Sequence, residues 1–186
     1  MNWDASIDHD KGWMGYRAVV RNEHGLVVAA QCLTVWGSLD PTLAEAGTAL
    51  KAIQFSRLLG LRQVIFEGDT KIVVDGINLK QDDWGRTGML LEDIKVELQT
   101  IPTWRMKFVC WEENKATHAL SKVAAKEFVN QRWMFATPDN IFEIVRMERT
   151  ILSLRGWVPK SSFEKPNGGN GWCSLCGGVY CLFVIS

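Results

Sequence analysis

The sequence has no excess of positive charge. Its 21 Lys and Arg side chains balance 21 Asp and Glu. Setting aside Arg155, Lys160, Lys165 and Glu164 near the C-terminus leaves 18 basic against 20 acidic side chains in residues 1–150, a net of −2. A chain-wide electrostatic grip on a polyanion is thereby excluded, because phosphate contacts supply most sequence-independent affinity for nucleic acid. Any such role has to rest on local clusters. Long apolar runs are also missing: the longest, Val179 to Ile185, has seven residues and is too short to span a bilayer. Met1-Asn2-Trp3-Asp4 carries no basic segment followed by an apolar one, so no secretion signal is expected, and an intracellular place, nuclear or cytoplasmic, is. Cysteine is sparse and odd in number. Cys32, Cys110, Cys173, Cys176 and Cys181 do not form the even, regularly spaced set of a secreted disulfide framework, which points to a reducing compartment.

What is present describes an ordinary globular chain. With 186 residues, 47% hydrophobic and 23% charged, it suits one domain with a real core, and neither disorder nor a membrane class is indicated. Nine Trp are the compositional oddity. They are scattered along the whole chain, so buried packing is the expected use for most of them, although aromatic faces also stack on bases.

Periodicity divides the chain into elements. Tyr16 to Arg21 and Leu26 to Ala30 read as strands joined by Asn22-Glu23-His24-Gly25, a turn ending in Gly, and Asn2 to Ile7 reads as a strand before them. From Pro41 the apolar spacing changes to three and four residues, which predicts a helix ending near Leu59 and stopped by Gly60. A strand at Arg62 to Phe66, a helix at Thr70 to Leu79, a helix around Leu90 to Leu98, a strand at Trp104 to Trp111 and a helix at Lys115 to Val129 follow. Strands separated by helices favour parallel pairing with right-handed crossovers. The expected fold is α/β: a mixed five-stranded sheet, three strands antiparallel and then two parallel, with helices on both faces. Pro138 opens a further short helical stretch with Ile141, Ile144 and Val145, and the domain is expected to run over 2–150.

The stretch Val64-Ile65-Phe66-Glu67-Gly68-Asp69 places two carboxylates where a strand hands over to a helix. Asp69 suits an N-cap, whose side chain accepts from free helix N–H groups. It also suits a ligand. If the first and fourth strands are neighbours, Asp4 and Asp69 converge, and Glu45 reaches in from the first turn of the connecting helix. Clustered carboxylates repel one another unless a cation sits between them. Mg²⁺, a hard ion held by carboxylates, water and substrate phosphate, is the natural candidate.

Four segments in this order, Asn2-Trp3-Asp4-Ala5-Ser6, Ala44 to Ile53, Phe66 to Val74 and Glu112 to Phe128, resemble the ribonuclease H-like superfamily, most of all the plant domains related to retroelement reverse transcriptases. The resemblance covers about Asn2 to Val129, and Arg132 to Thr150 is similar to the end segment common in those plant proteins. It implies a metal-dependent endonuclease that cuts the RNA strand of RNA–DNA hybrids by two-metal phosphodiester hydrolysis, with Mg²⁺ or Mn²⁺ as cofactor. The metal ligands it implies are Asp4, Glu45 and Asp69, with Asp4 bridging. The fourth catalytic position falls on His118, four residues after Asn114, where many active members carry Asp. Imidazole brings no negative charge and suits Zn²⁺ or Mn²⁺ better than Mg²⁺.

The sequence also departs from the family in its grip on substrate. The loop Lys80-Gln81-Asp82-Asp83-Trp84-Gly85-Arg86 is not basic, so hybrid recognition is expected to use the shallow minor groove and 2′-hydroxyls, with Asn114 and Thr70 as polar donors. A rival reading is therefore a catalytically weakened nucleic-acid-binding or interaction module that keeps the scaffold. Asp4 lies three residues from the first residue, which exposes its strand to fraying. Residues 151–186, with the Gly-rich run Pro166 to Gly171 and the Cys173-Ser174-Leu175-Cys176 pair, read as a loosely ordered extension rather than a zinc site, which would need a fuller ligand set.

Overall fold

The computed structural model describes residues 1–37, 40–79, 85–124 and 130–154. The strands are β1 (Asn2–Asp8), β2 (Trp13–Arg21), β3 (Val27–Trp36), β4 (Gln63–Gly68), β5 (Thr103–Phe108) and β6 (Asn130–Met134). The helices are α1 (Pro41–Leu58), α2 (Lys71–Asn78), α3 (Arg86–Leu98), α4 (Lys115–Ala124) and α5 (Asp139–Leu154). One sheet holds all six strands in the order β5-β4-β1-β2-β3-β6. β1, β2, β3 and β6 pair antiparallel, whereas β4 runs parallel to both β1 and β5. The expected five strands are thus six. The addition, Asn-Gln-Arg-Trp-Met, is a mostly exposed edge strand that joins β3 through backbone hydrogen bonds and needs no apolar alternation to do so.

Each local signal has a visible cause. Asn22 accepts from the N–H groups of His24 and Leu26 through its side chain, and Gly25 takes φ +72°, closing the β2–β3 turn. Asp40 caps α1, its carboxylate accepting from the Leu43 N–H at 3.0 Å, with Pro41 in the first helical position. Gly60, at φ +66°, ends the helix. α1 buries small residues, Ala46, Gly47, Ala49 and Ala52 among them, so it lies close against the sheet. A Cβ on Gly47 would stand 3.0 Å from the Tyr16 hydroxyl.

Two cores result, one on each face of the sheet. Trp3, Ala18, Phe66, Ile53, Val73 and Ile94 belong to the larger, which α1, α2 and α3 cover. Val19, Ala30, Ala116, Leu120, Ile141 and Val145 form the smaller under α4 and α5. α5 extends to Leu154, past the expected boundary at 150. β1 lies in the middle of the sheet, with partners on both sides, so the expected fraying of its strand is opposed by a seven-residue ladder to β2. Among the described residues, no helix is long and apolar enough to cross a membrane. Trp84, most of its loop, and the cysteine-containing extension lie outside the described residues.

Candidate metal centre

The sheet order reverses direction at β1: the chain moves from β1 through β2 to β3 on one side, then returns to place β4 on the other. In such sheets a crevice opens at the carboxyl ends of the strands flanking the switch. Here β1 and β4 are staggered: they share the Asn2–Glu67 rung, β4 ends one residue later at Gly68, and β1 runs on to Asp8. By strand alternation Asp4, in the row with Arg17 and Cys32, faces the α4 side, while α1 lies on the opposite side. Because β4 has ended at the level of Asp4, acids from both sides can meet there. Asp4, Glu45 and Asp69 each present an oxygen within 4.8 Å of the others.

Each acid is placed by its own element. Asp4 is 5% exposed and held in the β1–β2 ladder. Glu45 is the fifth residue of α1, so it reaches in from the second turn and not the expected first. Its Oε1 accepts from the Ala5 N–H at 3.3 Å. Asp69 follows the last residue of β4, and the N-cap of α2 is Thr70, which makes no side-chain capping bond. The helix start therefore does not use the Asp69 carboxylate, and that group is aimed into the crevice instead.

The charges in the cluster oppose one another. Burial, then Asp4, then Asp69 push the Glu45 carboxyl up to about 8, against weaker help from the Ala5 N–H and the Thr70 hydroxyl. Glu45 Oε2 is buried and has no hydrogen-bond partner among the described residues. An orphaned carboxylate oxygen beside two further carboxylates is the donor set a hard divalent cation fits. A pH dependence follows for the metal-free protein. Because the folded value lies above the ordinary one, Glu45 in the folded protein keeps a proton that the unfolded chain releases between pH 4.5 and about 8. Stability is fully present below that window and falls as pH rises through it. Denaturant titrations in EDTA should show wild type losing on the order of 2–4 kcal/mol more than Glu45→Gln across the window. Parallel curves for the two proteins would show that the cluster carries no such penalty.

His118, on α4, stands at the rim. It is half-exposed, with Nδ1 3.6 Å from Asp4 Oδ2. Asn114 is buried instead: its side-chain amide donates to the Trp3 carbonyl at 2.9 Å, tying the start of α4 to β1 beside Asp4. That makes it a structural tie and removes it from the expected substrate donors. Thr70 is engaged with Glu45. Two residues were not singled out by sequence reasoning. Arg17, opposite Asp4 in the register, is 1% exposed, and its Nη1 donates to the Tyr16 and Leu33 carbonyls. Burial pushes its pKa down while Cys32 and Asp4 hold it up. Nothing within a strand-like run marks a basic residue as buried. Gly68 is the other, because a Cβ there would collide with the buried indole of Trp3.

The sequence matches the family model described as "Reverse transcriptase-like" over residues 2–124. No curated protein matches it. Among solved structures, it resembles RNase H1 from the halophilic archaeon Halobacterium salinarum NRC-1, with a TM-score of 0.61 and 18% identity over 67% of this chain and 95% of that one. The N-terminal RNase H domain of rv2228c from Mycobacterium tuberculosis gives 0.59 and 19%, over 67% and 90%. LC11-RNase H1 in complex with an RNA/DNA hybrid gives 0.59 and 15%, over 67% and 94%; that protein was isolated from compost by a metagenomic approach. These likenesses share the fold described above.

Proposed function

Since the chain belongs to the reverse transcriptase-like family of the ribonuclease H-like superfamily, we propose that it is a divalent-metal-dependent endonuclease that cuts the RNA strand of RNA–DNA hybrids, of the plant retroelement-related class. The observation that carries this reading is the meeting of Asp4, Glu45 and Asp69, from a strand, a helix and a strand end, within 4.8 Å. Asp4, Glu45 and Asp69 would hold Mg²⁺ or Mn²⁺. Bound there, such ions supply water activation and neutralise charge on the leaving oxygen.

The chain's own residues do the rest. The Ala5 N–H and the Thr70 hydroxyl orient Glu45. Asn114 fixes the backbone of Trp3 and so the direction of Asp4. His118, exposed beside Asp4, stands where substrate would enter and offers a ring N–H as hydrogen-bond donor to a phosphate oxygen instead of a fourth negative ligand.

The test is direct. Purified protein incubated with a labelled hybrid is expected to release RNA fragments in Mg²⁺ or Mn²⁺ and to leave the DNA strand intact. No product with either ion would overturn the reading. Two observations favour a second reading, a catalytically weakened nucleic-acid-binding or interaction module that keeps the scaffold: His118 stands at the fourth position, and acidic side chains outnumber basic ones over residues 1–150. Hybrid binding that persists in EDTA without turnover would select it.

A further inference from the structure

Beyond the acid cluster, one face of the sheet carries a second feature. The rows of strand partners on Asp4's face are Asp4–Arg17–Cys32, then Ser6–Gly15–Thr34, then Asp8–Trp13–Trp36. Trp13 and Trp36 are neighbours in the last row. Their ring centroids are 5.8 Å apart, with the planes tilted by 51°. The Lys11 ammonium lies 4.6 Å from the centre of the Trp13 ring. Gly12 turns the chain at φ +68°, and a Cβ there would stand 3.9 Å from the edge of Trp36. Trp36 is nevertheless 68% exposed. An indole so placed is supported from one side and presented to solvent, with a cation close by.

Distance from the acids decides what could use it. Four residues along β1 span about 13 Å and two strand spacings about 10 Å, so Trp36 lies roughly 16 Å from Asp4 on the same face. At about 3.4 Å per nucleotide of stacked strand, that is about five steps. A base inside a duplex offers no open face, whereas an unpaired base does, and aromatic side chains take bases of any sequence. Lys11 adds a positive charge for the accompanying phosphate, although its pairing with Asp8 at 3.6 Å offsets part of it.

We propose that Trp36, backed by Trp13 and Lys11, is a stacking platform for an unpaired base of a strand that overhangs the hybrid. This rests on the nucleic-acid reading above and deepens it: the protein would favour hybrids at the border with single strand, cutting about five steps from that border.

The experiment compares blunt hybrids with hybrids carrying an overhang of about six nucleotides at each strand end in turn, long enough to reach Trp36. Binding is read by anisotropy in EDTA, and stacking by quenching of tryptophan fluorescence. One overhang is expected to tighten binding about tenfold and to quench fluorescence, as one stacked base would. Trp36→Ala should lose both effects, Trp36→Phe should keep the tightening, and both variants should cut the blunt hybrid as wild type does. Equal tightening in wild type and Trp36→Ala, or none at any end, overturns the proposal. So does a Trp36-dependent self-association with no effect of overhangs. Failure of the nuclease reading is separate: it is the absence of blunt-hybrid cleavage by wild type, and overhang binding through Trp36 would survive it.

Discussion

Asp69→Asn is expected to abolish hybrid cleavage, lowering the rate by about a thousandfold or more, the scale of loss when a preorganised electrostatic stabiliser is removed. The change keeps shape and removes one charge. Two features make the loss specific to chemistry. First, α2 begins at Thr70 without a side-chain capping bond, so the fold does not lean on the Asp69 carboxylate. Second, Asp69 is one of the two charges that push Glu45 up, and removing it relieves repulsion in the metal-free protein. The variant should therefore melt at the same temperature as wild type in EDTA, or a few degrees higher, as a gain of about 1 kcal/mol produces. Cleavage assays paired with thermal melts check both halves. Activity within tenfold of wild type would remove Asp69 from the catalytic set, and a large fall in melting temperature would return it to a structural role.

The second large effect is expected one residue earlier. At Gly68→Ala the new methyl group would overlap the six-membered ring of Trp3, with the Cη2 atom 2.7 Å away and others nearer. Trp3 is fully buried in the larger core and cannot swing aside. Forcing volume into such a site costs about 2–3 kcal/mol, roughly 6–10 °C in melting temperature for a chain of this size. Function should fall further than stability, because Trp3 precedes Asp4 and any backbone shift moves that carboxylate. A smaller ring gives the methyl group room, so Gly68→Ala combined with Trp3→Phe should recover part of the lost stability, a coupling that a double-mutant cycle measures. A Gly68→Ala protein as stable as wild type would mean that β4 does not press on Trp3.

These two residues also mark how far the sequence could be read. The alternation of strands and helices was legible because buried faces demand apolar periodicity, and the three acids were legible because Asp69 follows a strand, Glu45 lies beside an apolar stripe, and Asp4 sits on the strand that the resemblance pairs with them. β6 was not, since Asn130 to Met134 is bound by backbone groups at an edge and is mostly exposed. Arg17 looked like any polar residue in a strand, yet it is enclosed and turned onto the Tyr16 and Leu33 carbonyls. The two readings of Asp69 could not be separated until the start of α2 was known to the residue. Gly68 lay past the expected strand end at Phe66, whereas it is the last residue of β4, and its lack of a side chain is what admits Trp3.

The lone Asn2–Glu67 rung, reinforced by the Glu67 N–H to the Met1 carbonyl, joins two much longer ladders. The sheet is two ladders that meet along a short joint, with Asp4 in one and Asp69 just past the end of a strand of the other. Repulsion between the acids acts across that joint, and a cation held by them would offset it. Charge at the cleft therefore bears on the shortest pairing in the sheet.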